Sequence, residues 1–153
     1  MNSHRLPRNP LKLMGRATRG FHRVADLKLR EFGFAMGQIP VLVGLKSGPG
    51  LTQAELAKIA QVEQPSMAQL LNRMERDGLV ERVVDAADKR SRLITLTPAA
   101  AKRMPKAKAQ MDVLADQALA GFSADEVAQL EDFLNRLNAN IERMGDGTWN
   151  LQL

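Results

Sequence analysis

The chain has 153 residues, 44% of them apolar and 25% charged, which is room for one modest domain or for a lobe with an attached helical arm. A formal charge of +5 favours an anionic partner, with nucleic acid ahead of an anionic membrane surface. With no cysteine, disulfides, thiolate metal sites and cysteine-based redox sensing are excluded.

The opening "MNSHRLPRNPLKLMGR" has no apolar core of the kind a signal peptide needs, and nothing approaches the ~20 apolar residues of a membrane span. A cytoplasmic protein without membrane contact is therefore expected. From Leu11 the apolar residues Leu11, Met14, Ala17, Phe21, Val24 and Leu27 recur every three or four positions, which predicts a helix to about Glu31. Arg16, Arg19, Arg23 and Lys28 lie on its other face. A short helix over 39–46 follows, with Pro40 in its first turn, and "SGPG" reads as a turn.

"LTQAELAKIA" places Thr52 and Glu55 at capping-box spacing, with Leu56 and Ile59 facing inward. In the next helix, over 64–77, Pro65 sits at the start, Met67, Leu70, Leu71 and Met74 form the apolar stripe, and Gly78 sits at the C-cap. "LVERVV" and "LITLT" are β-rich runs around a charged tip carrying Asp85, Asp88, Lys89, Arg90 and Arg92, so they read as a hairpin. After Pro98 a helix is predicted to about Ala120, with Met104, Met111 and Leu114 on one side, and Gly121 breaks it. Ser123 and Glu126 form a second capping box. Val127, Leu130, Leu134, Leu137, Ile141 and Met144 then step by threes and fours, the seam of a helix that packs along another helix.

Two helices joined by a short turn, the second followed by a hairpin, describe a winged helix-turn-helix. Once its stripe is buried, the second helix has Ser66, Gln69, Asn72, Arg73 and Arg76 left on its outer side. Serine and glutamine can bond base edges, and the arginines can reach phosphates or guanine. No acid follows Glu63 at the helix start, where free N–H groups favour a phosphate. The plain alternative for these residues is a wet helix face, and for the tip a solvated hairpin end.

The segment from Leu51 to Ala100 resembles the DNA-binding lobe of the MarR family of bacterial transcription regulators. Within it, "VEQPSM" and "DGLVER" are similar to SlyA-like members. The carrying motif is Asp-x-Arg at the wing, here Asp88-Lys89-Arg90, followed by "LITLT". The resemblance implies a mainly α fold with a small β-hairpin wing: a winged helix-turn-helix lobe with a helical dimerisation region from both termini. The boundaries would be 1–37, 38–99 and 100–153. It also implies that Arg90 enters the minor groove, whose negative potential draws in a guanidinium. Gln64, Pro65, Ser66, Gln69 and Arg73 would then lie on the duplex, with Lys89 and Arg92 at its backbone. Asp88 would shape the wing, by pairing with an arginine or by accepting backbone N–H bonds. Gln69 departs from the family, where many relatives carry arginine.

The expected function is a sequence-specific regulator of double-stranded DNA, a repressor that reads an inverted repeat as a homodimer. Paired recognition helices about 34 Å apart double the contact set; the plain alternative is that the two terminal apolar faces close on each other within one chain. The family commonly senses small aromatic or phenolic acids, for which Phe21, His22 and Phe34 are candidates, with Arg16 or Arg19 to offset a carboxylate. No enzyme, cofactor or metal site is expected. The only histidines, His4 and His22, lie outside the lobe, and no phosphate loop or nucleophile signature occurs. The methionines at helical spacing read as core. Trp149, in "GDGTWNLQL", reads either as a small anchor on a partner chain or as part of a disordered tail. The competing reading is a winged helix used for protein–protein contact without specific DNA binding.

Overall fold

Asn9 begins the first helix by accepting the Leu11 N–H on its side-chain oxygen at 3.0 Å, with Pro10 in the first position, where no donor is needed. In this computed structural model, which describes residues 9–46 and 48–145, α1 spans Pro10–Arg30. His4 and Trp149 lie outside the described residues. Gly33, at φ 76°, turns the chain out of α1, and the Phe34 N–H bonds back to the Leu29 carbonyl at 3.1 Å. Asp26 accepts the Met36 N–H at 2.9 Å and so pins the following 3₁₀ turn, Met36–Gln38, to the helix. The sequence pattern gave no sign of that turn.

α2 (Ile39–Leu45) buries Val41, Leu42 and Leu45. α3 (Gln53–Ala60) opens on the expected capping box: Glu55 N–H donates to Thr52 Oγ1 at 3.3 Å, and Thr52 N–H to the Glu55 carboxylate at 2.7 Å. That backbone donor holds the Glu55 carboxyl below its ordinary range. Leu56 is buried, but Ile59 is 49% exposed, so only one of the two expected inward residues is covered. Ala57 and Ala60 of the same stretch do reach the core.

α4 (Gln64–Arg76) buries Met67, Leu71 and Met74 completely, with Leu70 half-buried against them. Gly78, at φ 71°, ends it, and the Leu79 N–H bonds back to Met74 at 2.8 Å. The hairpin follows: β1 (Val80–Val84) and β2 (Arg92–Leu96) pair antiparallel, with Val80 opposite Leu96 and Val84 opposite Arg92. Leu51 bridges Ile94 on the other side through bonds of 3.0 and 2.7 Å, so β2 lies between two partners. At Gly50, φ 106°, a Cβ would stand 3.0 Å from the Ile94 carbonyl oxygen, so only glycine lets the chain approach β2 there.

Thr97 joins the hairpin to α5 (Pro98–Ala118). Its hydroxyl donates to the Gly78 carbonyl at 2.6 Å and accepts the Ala100 N–H at 3.2 Å. Arg103 of α5 donates to the Phe32 carbonyl at 3.0 Å and lies 5.2 Å from the centre of the Phe34 ring. The core gathers Leu29, Phe34, Leu42, Leu56, Met67, Leu71, Met74, Ile94 and Ala107. Truncating one of its large aliphatic residues to alanine costs about 2–5 kcal/mol.

By internal contacts the chain divides into two units, one up to Leu114 and one from Ala115 onward. The second contains α6 (Ala124–Gly145), which starts on the Ser123–Glu126 capping box, with bonds of 2.8 and 3.2 Å. None of its residues is buried, and Leu130, Phe133, Ile141 and Met144 are exposed. The expected stripe of α1 is open at most of its positions, with Met14 and Phe21 half-buried. Leu11, Val24 and Leu27 are exposed, whereas Ala25 and Leu29 are the buried residues of that helix. The fold is mainly α with a two-stranded antiparallel wing. Among the described residues no helix is long and apolar enough to cross a membrane.

Candidate nucleic-acid interface

The burial of Met67, Leu71 and Met74 fixes which side of α4 remains outside. Gln64, Pro65, Ser66, Gln69 and Arg73 are all exposed there. Ser66, Gln69 and Arg73 are spaced by three and four, so they share one side of the helix. The N-cap of α4 is Glu63, whose side chain makes no capping bond, and the first turn contains no acid. Backbone donors at this end are thus open to an anion. Gln64 accepts a long bond of 3.4 Å from Gln53 of α3.

At the wing, two acidic side chains shape the tip by short-range bonds. Asp85 accepts the Ala87 N–H at 2.8 Å and Asp88 accepts the Arg90 N–H at 3.0 Å, each an Asx turn reaching two residues on. Ser91 N–H to the Asp88 carbonyl at 2.9 Å and Asp85 N–H to the Ser91 carbonyl at 3.2 Å close the loop. Lys89 and Arg90 are exposed at its end. Arg92, also exposed, turns back on the wing, its Nη1 lying 3.3 Å from the Lys89 carbonyl oxygen and 3.4 Å from that of Ser91.

Arg82 was not among the residues singled out from the sequence. From β1 its guanidinium donates to the Glu75 carboxylate and, at 2.8 Å, to the Asn72 side-chain oxygen. Asn72, expected on the outer face, is thereby engaged within the protein, and the acid of α4's outer side has a cationic partner. The available signal was strand alternation, which sets Arg82 on the same face as the buried Val80.

The candidate effector residues are not brought together. Phe34 lines a cavity of about 180 Å³ with Leu29, Ile39, Leu42, Met104, Lys108 and Met111, between the end of α1, α2 and α5. Arg19, Phe21 and His22 do not line it: Arg19 and His22 are exposed on α1 and Phe21 is half-buried. Lys108, which does line it, pairs with Asp112 at 2.5 Å. Among the described residues no cluster of three or more histidines, aspartates or glutamates could hold a metal ion.

The sequence profile of the MarR family matches residues 32–91, from just after α1 to the wing tip, short of β2. Among solved structures, the transcriptional regulator PA3341 is 31% identical, covering 88% of this chain and 99% of its own, with a TM-score of 0.74. The transcriptional regulator SlyA is 25% identical over 93% of this chain and all of its own, with a TM-score of 0.80. MepR of S. aureus, solved as a DNA complex, is 27% identical over 87% of this chain and 98% of its own, with a TM-score of 0.78. With this helix order, this wing and these similarities, the chain belongs to the MarR family of winged helix-turn-helix transcription regulators.

Proposed function

We propose that the protein is a sequence-specific regulator of double-stranded DNA, a repressor that binds an inverted-repeat operator as a homodimer. The observation that carries this reading is the pairing of two exposed features on one lobe: the polar side of α4 and the cationic wing tip. Ser66, Gln69 and Arg73 would meet base edges and phosphates in the major groove, Gln64 and Pro65 the backbone at the helix start, and Arg90 the adjacent minor groove. Lys89 and Arg92 would meet phosphates, and Asp88 would hold the tip in shape. The MepR structure, solved with DNA, supports the reading by similarity.

The homodimer is supported by uncovered apolar side chains on both terminal helices. Leu11, Leu13, Val24 and Leu27 of α1 and Leu130, Phe133, Ile141 and Met144 of α6 are exposed in the single chain. The proposed dimerisation regions are 1–37 and 100–153, flanking a lobe over 38–99.

Release by a small aromatic or phenolic acid is part of the same proposal. The apolar cavity beside Phe34 has the volume of a single-ring ligand, since an apolar cavity of about 150 Å³ takes up benzene. Lys108 would face its carboxylate. Such a ligand shifts the regulator only if it binds the DNA-incompetent arrangement more tightly than the competent one.

The test is selection of bound fragments from a random-sequence duplex library, followed by titration at several salt concentrations. The expected outcome is an inverted-repeat consensus, a steep loss of affinity with salt, and a clear loss for Arg90→Ala at unchanged Tm. Weak, salt-insensitive binding to every duplex would instead favour a protein–protein module. Solution scattering tests the dimer: a monomeric mass at micromolar concentration overturns it.

A further inference from the structure

Arg82 stands at the middle of β1, opposite Ile94, and shares the strand face of Val80, which is buried. Alternation calls for an apolar side chain at such a position. An arginine sits there instead, 29% exposed, and its fork spans two groups on α4: Glu75 and Asn72. The two acceptors are three positions apart, so they stand on adjacent turns of one side of the helix. A planar guanidinium can serve both at once, which a lysine ammonium does far less well. Beyond Arg82 the strand's remaining side chains, Val83 and Val84, are exposed, so the outer half of the wing has little apolar anchorage.

We propose that Arg82 is a positioning residue for DNA binding, a fork that sets the angle between the wing and α4 so that both elements meet the duplex together. The inference rests on the reading of α4 and the wing as the DNA interface. If the wing swings freely, the contact made by Arg90 must first be ordered, and the cost of that ordering is taken from affinity. Two other roles are distinguishable: Arg82 as a phosphate contact in its own right, and Arg82 as a purely structural brace. A phosphate contact acts independently of Arg90. A brace changes the melting temperature but leaves folded protein with normal affinity.

The experiment is a double-mutant cycle on the full chain. Affinity is measured by fluorescence anisotropy for the tightest duplex recovered from a random-sequence library, with thermal melts in parallel. The proteins are the wild type, Arg82→Met, Arg90→Ala and the double variant. Arg82→Met is expected to weaken binding about tenfold alone, but less than about twofold when Arg90 is already absent, the coupling expected of residues that act together. Arg82→Lys recovers only part of the loss. Glu75→Ala removes an acid from a DNA-facing helix, which by charge alone should tighten binding; here it is expected to weaken binding several-fold. Should Arg82→Met melt too early to assay, Glu75→Ala combined with Arg90→Ala supplies the same cycle.

Equal fold-losses in the two backgrounds, or tighter binding by Glu75→Ala, overturn the proposal. The DNA reading itself fails differently: the wild type then selects no sequence, or Arg90→Ala binds as well as the wild type.

Discussion

The Asp88 carboxylate accepts the backbone N–H of Arg90 at 3.0 Å, so the acid of the wing motif holds the backbone of the arginine two residues later. A carboxylate close to a phosphate chain would ordinarily weaken binding, and its removal would strengthen it. The geometry predicts the reverse. Asp88→Ala should lower operator affinity by roughly three- to tenfold, since an ordering cost of about 0.5–1.5 kcal/mol returns when the tip is loosened. Asp88→Asn keeps an acceptor for the same N–H and should lose less. Anisotropy titrations of the two variants side by side check this, and tighter binding by Asp88→Ala would contradict it.

Gln61, at the end of α3, holds a left-handed backbone, φ 54°, where a Cβ is unfavourable. Glycine relieves that strain and costs some entropy in the unfolded chain. Gln61→Gly is expected to raise stability by about 0.5 kcal/mol, whereas Gln61→Val should lower it. Urea unfolding midpoints at constant slope provide the measurement, and the order of the three proteins is the prediction.

Asp26 is held below its ordinary carboxyl range, first by the Met36 N–H and then by Arg30, 2.9 Å away. A depressed folded pKa contributes stability that is present above the unfolded value and is lost as pH falls through the folded one. Asp26→Asn should therefore be less stable than the wild type near neutrality. The gap should close as the pH is taken down through and below the usual aspartate range. Chemical denaturation at a series of pH values tests the sign. A gap that widens on acidification would assign the effect to another group.

The helices and their ends were legible because their causes are local. The Thr52–Glu55 and Ser123–Glu126 boxes each join residues three apart. Gly78 and Gly121 follow the ends of their helices with positive φ, a conformation glycine takes without strain. The α4 stripe was legible for the same reason, since Met67, Leu71 and Met74 repeat at helical spacing and all three are buried. Ile59 shows the limit. Spacing identifies an apolar position, but the elements that pack over it decide whether it is covered.

Propensity, capping and alternation act over a few residues, so the chain alone specified the winged helix-turn-helix and the charged tip, though not the 3₁₀ turn at Met36–Gln38. Tertiary structure decided the rest. It buried Ala25 and Leu29 of α1 while leaving Leu11, Val24 and Leu27 exposed. It made Phe34, rather than Arg19, Phe21 or His22, a wall of the cavity. It also tied Arg82 to Asn72 and Glu75 across two elements. Periodicity along a chain says that a face exists, whereas its cover and its hydrogen-bond partners come from residues that only folding brings near.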